Sequence, residues 1–319
     1  MVHLWKAPHI VKGMLTRVPA LNAWRAHRAS TGGTDSARYC YTVWLRHLEN
    51  LHRHGFRVSG ASIGELGPGD SLGAGLAALL SGAGYYVGLD LLPFFRNGDL
   101  RAMFDELVAM YAREEPIPAD DEFPMVRPKM QSYRYPSDAA EQAGFDDRVT
   151  NIRRDLDLPV NSGSTLSYHA PWMSDHVARG SLDLVFSQSV LQYVEPLEAV
   201  YREIFHWLKP GGYSSHAIGL SATYLSPFWN GHWAYSDWEW RLARGKREYV
   251  LNREPLSRHL SCARDAGFSI LSAGKEYGQD GLASGQLSAR YRSLDAEDQR
   301  TRFVMLIVQK PMVPAAAAM

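Results

Sequence analysis

Residues 64–71 read Gly-Glu-Leu-Gly-Pro-Gly-Asp-Ser, leaving an apolar segment and entering a run with helical spacing. Two glycines one residue apart let a strand turn sharply into a helix and let the backbone approach a ligand closely. The flanking carboxylates matter as much. With Glu65 ahead of the pair and Asp70 directly behind it, the loop is poorly suited to a pyrophosphate and well suited to a ligand with a cationic end. A dinucleotide fingerprint would need its third glycine where Leu72 stands, and Gly73 comes one place late.

The following residues agree with a ligand-binding turn rather than a merely structural one. Residues 72–82 (LGAGLAALLSG) read as a small-residue helix able to pack tightly on a sheet. Residues 85–90 read as a second apolar strand ending in Asp90, where a carboxylate can accept both ribose hydroxyls of a nucleoside. NAD and S-adenosylmethionine share that ribose, so Asp90 does not separate them. The loop does, because S-adenosylmethionine carries an ammonium and a sulfonium.

In the second half, residues 181–187 have the composition of a buried parallel strand. A helix is expected over residues 196–208, with apolar positions at Leu197, Val200, Tyr201, Ile204, Phe205 and Leu208. Lys209-Pro210-Gly211-Gly212 stops it, and another strand is expected over residues 213–218. The stretch SLDLVFSQSVLQYVEPLEAVYREIFHWLKPGG, residues 181–212, resembles the class I S-adenosylmethionine-dependent methyltransferases. Residues 266–271 and 302–311 resemble the closing antiparallel hairpin of that fold. The resemblance covers roughly residues 58–90 and 166–311. It implies an α/β, Rossmann-like fold: a mostly parallel seven-stranded sheet with an antiparallel last strand, plus helical and aromatic cap insertions.

Length and composition fit such an enzyme. A chain of 319 residues can bury a generous core. Lys plus Arg and Asp plus Glu number 34 each, so no general pull toward nucleic acid or anionic membrane is expected. Cys40 and Cys262 form neither a disulfide framework nor a metal-ligand spacing, so no metal is expected. There is no signal-peptide pattern, and no apolar run approaches the ~20 residues of a bilayer span. A cytoplasmic location is the simplest expectation, and oligomeric state is not legible.

Three segments fall outside the core pattern. Residues 1–57 are expected to form an N-terminal helical cap, with a turn at residues 31–35 and a helix bearing Tyr39, Val43, Leu45, Leu48 and Leu51. The core then spans residues 58–311, with insertions at about 92–164 and 219–253 and a flexible tail at 312–319. The 92–164 insertion is expected to hold helices at 99–113 and 137–156 and to act as a lid. The 219–253 segment carries four of the nine Trp and reads either as a self-packed cap or as an aromatic wall for a sugar-like substrate.

Within this last segment, residues 215–220, 238–239 and 249–253 are similar to a methyltransferase subgroup with an S-H-x-I-D-L-x-D-H strand end and a later Y-T-N-R. Some members are associated with glycan or capsule biosynthesis. Gly219 and Ala222 stand where that pattern has acids, and Thr223 where it has its second His.

The expected site follows. Glu65, Gly67, Gly69 and Asp70 surround the methionine end of the cofactor, Asp90 takes the ribose, and Ser187 and Gln188 lie beside the sulfonium. Trp172 and Asp175 face the adenine. His216 is the first candidate base, with His232 and Asp237 in reserve, although a strand histidine is also a common core residue. Tyr193, Trp229 and Trp233 are the expected substrate contacts. The reading is methyl transfer by in-line displacement, with oxygen of a small-molecule or glycan-type acceptor favoured. The alternatives are a non-catalytic partner or regulator that keeps the fold, and an NAD-dependent oxidoreductase.

Overall fold

Apolar runs too continuous for a one-sided sheet must be covered on both faces, and that is where the chain puts them. The computed structural model describes residues 4–17, 34–95, 100–247 and 249–312. Seven strands, β1 (Ser62–Leu66), β2 (Tyr85–Leu89), β3 (Leu166–His169), β4 (Leu182–Gln188), β5 (Leu208–Gly219), β6 (Ser269–Tyr277) and β7 (Thr301–Gln309), form one sheet. Its order is β3-β2-β1-β4-β5-β7-β6. The first five strands are parallel, and β7 runs antiparallel to both β5 and β6.

The helices are α1 (Ala7–Leu15), α2 (Ala37–His52), α3 (Gly73–Leu80), α4 (Leu100–Ala112), α5 (Phe145–Leu156), α6 (Leu197–Trp207), α7 (Asp237–Arg244), α8 (Leu256–Asp265) and α9 (Ala296–Arg300). One face of the sheet is covered by α2, α3, α4 and α5, the other by α6 and α8. Because β1 lies between β2 and β4, the chains leaving β1 and β4 diverge to opposite faces. They open a crevice at the switch point of the sheet, just beyond Leu66 and Gln188.

Small residues let α3 lie flat on the strands. A Cβ at Gly75 would fall 2.4 Å from the Tyr86 ring, so only glycine permits this approach.

Two expectations about the flanking segments change in the structure. The helix expected in the N-terminal cap is α2, which belongs to the core layer. Tyr41, Trp44, Leu45, Leu48 and Leu51 are fully buried there and pack with Leu184, Phe186 and Ile307 of the sheet. Each such side chain contributes roughly 1.5–3 kcal/mol of burial. Residues 31–33 of the expected turn and 313–319 of the tail lie outside the described residues.

Within the 92–164 insertion, residues 118–133 are tied down on α2. Arg46 of α2 is fully buried and donates through Nη1 to the carbonyls of Val126 (3.0 Å) and Pro128 (2.9 Å), and through Nη2 to Pro118 (3.0 Å). Nη1 also meets Asp120 at 3.3 Å, and the guanidinium stacks 5.1 Å from the Tyr133 ring. An irregular segment with buried carbonyls needs such a donor, and one forked side chain supplies it. The helix expected over 137–156 begins only at Phe145, behind Gly144 at φ +67°. Among the described residues no helix is long and apolar enough to cross a membrane.

Candidate active site

At the switch point a cavity of about 620 Å³ opens beyond β1, β2 and β4. Its floor is the glycine loop. Gly67 and Gly69 have φ of +66° and +77°, a region L side chains rarely enter. A Cβ at Gly67 would also lie 2.6 Å from Val190 Cγ2, so the loop sits directly against the turn that follows β4. The Asp70 amide donates to Thr34 Oγ1 at 2.8 Å, which fixes the loop to the segment leading into α2.

Three carboxylates line this cavity, Glu65, Asp90 and Glu195, and the last pairs with Arg244. Glu65, at the end of β1, is buried and accepts from the Tyr86 hydroxyl at 2.6 Å. Burial pushes its carboxyl up to about 8, the Tyr86 hydrogen bond works against this, and the Asp90 charge reinforces it. Asp90, just past β2, accepts from the Leu91 amide at 2.8 Å and the Gly69 amide at 3.3 Å. Burial raises it to about 6 despite those amides, and Asp70 adds to the rise. Among the described residues no positive charge offsets Glu65 or Asp90, and a cationic ligand would supply one.

The rest of the wall includes Tyr39, Cys40 and Val43 of α2, Leu91 and Phe94 after β2, and Trp172, residues 188–190 and 193–196, and Tyr249. Phe94 and Tyr249 meet with ring centroids 5.3 Å apart. Gln188 is held in one orientation. Its Nε2 donates to the Arg127 carbonyl (3.2 Å), so its Oε1 accepts from His47 Nε2 (3.1 Å), and His47 Nδ1 accepts from Ser215 Oγ (2.8 Å).

The turn after β4, which carries Tyr193, is clamped by Asn252. Its Nδ2 donates to the carbonyls of Leu191 (2.8 Å) and Val194 (3.0 Å), and its amide donates to Gln192 (2.7 Å). Next to it, Arg253 is buried between the rings of Trp240 and Tyr291 and pairs with Asp237 at 2.8 Å. The Tyr-Val-Leu-Asn-Arg stretch thus shapes the wall from behind.

Of the residues singled out from sequence, Glu65, Gly67, Gly69, Asp90, Trp172, Gln188 and Tyr193 line the cavity. Asp70 does not line it and acts on it through its charge on Asp90. Asp175 is exposed on the turn after β3, and Ser187 is buried beneath the wall.

The three candidate bases also lie elsewhere. His216 is fully buried between two serines. Ser214 Oγ donates its one proton to the Val185 carbonyl (3.0 Å), so it accepts from His216 Nε2 (2.6 Å), and His216 Nδ1 accepts from Ser187 (2.7 Å). Both ring nitrogens are used, and burial holds the ring neutral with a value near 3, a shift to which His47 and His259 add. His232 packs 4.7 Å from the Trp233 ring and is driven to about 3 by burial and then Arg253. Asp237 is the ion-pair partner of Arg253.

His216→Ala is expected to lower stability by about 2–4 kcal/mol, through a cavity and unpaired serine hydroxyls, while leaving ligand affinity unchanged. Thermal melts and calorimetry check this.

Trp229 and Trp233 form a satellite core with Leu282, Leu287 and Tyr291. A Cβ at Gly278 would fall 2.3 Å from the Trp229 ring, so that indole fills a slot rather than a substrate pocket. Most of the aromatic segment therefore packs on itself. Neither Gly219 nor Ala222 lines the cavity. Tyr249, one of the rings of the aromatic segment, does reach the wall, whereas sequence reasoning missed Phe94 and also Cys40, whose thiol burial pushes up to about 12. Nothing in their spacing marked them. Among the described residues no group of His, Cys, Asp or Glu could hold a metal ion.

The sequence profile of a family described as Methyltransferase domain matches residues 157–215, the stretch from β3 into β5. No curated protein matches the chain. Among solved structures, an S-adenosylmethionine-dependent methyltransferase from Mesorhizobium loti is 17% identical over 87% of this chain and 100% of its own, with a TM-score of 0.41. The phosphoethanolamine N-methyltransferase 2 of Haemonchus contortus is 15% identical over 84% of this chain and 53% of its own, at 0.42. The geranyl diphosphate C-methyltransferase of Streptomyces coelicolor A3(2) is 14% identical over 83% of this chain and 78% of its own, at 0.44. Likeness at that level carries no argument about acceptor or mechanism. The strand order with its antiparallel β7 and the matched methyltransferase segment at its centre make this chain similar to the class I S-adenosylmethionine-dependent methyltransferases.

Proposed function

We propose that the protein methylates a small, predominantly apolar acceptor that carries no anionic group. One observation carries the reading: the cavity lining, among the described residues, contains aromatic rings and carboxylates but no Lys, Arg or His. A phosphate or carboxylate on the acceptor would meet Glu65 and Asp90 with no compensating cation among the described lining residues, and Glu195 already engages Arg244.

The donor set suits the cofactor. Glu65 would hold its ammonium, Asp90 its ribose hydroxyls, and Trp172 would lie beside the base, with Gly67 and Gly69 permitting close approach. Bound there, the cofactor supplies a methyl group already activated by its sulfonium. The chain's own part is to orient the acceptor and exclude water. Tyr193, Val194 and Val200 provide the dry wall, and Asn252 keeps the turn bearing Tyr193 from shifting.

A hydroxyl or glycan-type acceptor gains less support. A hydroxyl is helped by a histidine base, and among the described residues no histidine lines the cavity. A sugar also needs many hydrogen-bond partners, which a mainly apolar wall does not supply. An acceptor whose lone pair is available without a base, such as an amine, fits better.

The test is transfer of labelled methyl from S-adenosylmethionine to paired acceptors, amines and phenols against their phosphorylated or carboxylated forms. Turnover confined to the uncharged and cationic members is expected, and preference for the anionic ones would overturn the reading. Asp90→Asn is expected to weaken S-adenosylhomocysteine binding about 10- to 100-fold, from the loss of charge-assisted hydrogen bonds to the ribose. Calorimetric titration of the folded variant checks it.

A further inference from the structure

Helix α1 packs Ile10 inward against the cluster of Leu225, Tyr235 and Trp240, yet carries a second apolar stripe that faces out. Ala7, Pro8, Val11, Met14 and Leu15 share one side at 3.6 residues per turn, and all five are exposed. Val11 is 55% exposed, and Met14 and Leu15 are each 49% exposed. The opposite side carries Gly13, where a Cβ would lie 2.1 Å from the Leu242 carbonyl oxygen of α7. Thr16 continues that contact by accepting from the Lys246 amide at 2.8 Å. The small residue faces inward and the apolar stripe outward, so the contact with α7 does not account for the stripe.

The charges around the stripe are of one sign. Lys12 and Arg17 of this segment, and Arg241 and Lys246 of the neighbouring one, are exposed. The cations of the two helices converge on His9, whose basicity is lowered by burial and then by Lys12 and Arg247. The acids of α7 are already taken, Glu239 by Lys6 at 3.0 Å and Asp237 by Arg253 at 2.8 Å. The sequence around α1 is acid-free as well: Lys6, Lys12, Arg17, Arg25 and Arg28 precede the first acid, Asp35. In a chain of zero net charge this is a local asymmetry.

We propose that the α1 face is a docking surface for an anionic lipid membrane, with Val11, Met14 and Leu15 entering the interface and the surrounding cations meeting headgroups. A second copy of the chain suits the surface less well. A two-fold contact through this stripe would bring Lys12 and Arg17 against the same residues of the other copy, like charges facing each other. Through α7 the surface is continuous with the cavity, since Arg244 at its end pairs with Glu195 on the cavity wall. The proposal does not depend on methyl transfer, and its test does not measure it.

The test is co-sedimentation of the full chain with vesicles of phosphatidylcholine alone and of equimolar phosphatidylcholine and phosphatidylglycerol. Binding to the anionic vesicles only is expected, and it weakens as salt is raised. The triple variant Val11→Ser, Met14→Ser, Leu15→Ser and, separately, Lys12→Glu should each lower it at least tenfold while circular dichroism and melting stay at wild-type values. These positions are exposed. Absence of binding to anionic vesicles at low salt would overturn the proposal. So would a concentration-dependent dimer in sedimentation equilibrium that the triple variant abolishes, because the face would then belong to a second copy.

Discussion

Glu65→Gln is expected to weaken S-adenosylmethionine binding roughly 30- to 100-fold, the scale of one buried hydrogen bond between charged groups. The same change should make the ligand-free protein more stable in alkali. In the folded chain burial raises the Glu65 carboxyl to about 8, against 4.5 for an ordinary glutamate. Between those two pH values the folded state keeps a proton that the unfolded state has lost. Stability therefore falls as pH rises through this window. Glutamine has no proton to lose, so the melting temperature of the variant should gain on wild type from pH 5 to pH 9. A cation bound beside Glu65 reverses the preference, since the ionised carboxylate is then the favoured form. Wild-type affinity should rise as pH climbs toward 8, and at pH 7 binding should release a proton. Titrations in buffers of different ionisation enthalpy measure that proton, and a pH-independent affinity with none released would remove Glu65 from the ammonium site.

Arg46→Leu has the largest expected effect on the fold, a loss of about 3–5 kcal/mol. Removing the guanidinium strands the carbonyls of Val126 and Pro128 in a buried setting and leaves that of Pro118 with the Thr42 hydroxyl alone. Lysine should recover only part of the loss, because one ammonium cannot reach acceptors spread around a planar fork. Urea melts give the magnitude, and limited proteolysis should show the earliest new cuts between residues 118 and 133. Because the Arg127 carbonyl orients Gln188, the damage should also reach the cavity wall. Ligand affinity should fall in Arg46→Leu even where the protein remains folded. If cleavage in that segment is unchanged, Arg46 is not its anchor.

The sequence made legible what rests on local chemistry. The glycine loop, the acid at the tip of β2 and the run from β4 into β5 each carry their own signal, and the structure brings the first two together at one cavity. The order of the seven strands was legible only through resemblance, because pairing between distant strands leaves little mark on either strand. Less legible was the use of polar residues that look catalytic. His216, His232 and Asp237 have the right side chains, yet His216 is consumed by Ser187 and Asp237 by Arg253, both distant in sequence, while His232 is buried against the adjacent Trp233. The aromatic segment illustrates the same limit. Its rings were counted correctly, but only tertiary packing decides that Trp229 and Trp233 pack with residues 282–291 while Tyr249 reaches the cavity. The anchoring of residues 118–133 was not legible, because nothing in a proline- and acid-rich stretch reveals which buried donor will hold its carbonyls.

The most direct measurement is a crystal structure of the chain with S-adenosylhomocysteine. Its amino group should lie within hydrogen-bond reach of Glu65, its ribose should bridge to Asp90, and Tyr193 should border the vacated methyl position. A nucleoside bound elsewhere, or a cavity beside Gly67 closed by the protein's own side chains, would contradict the account.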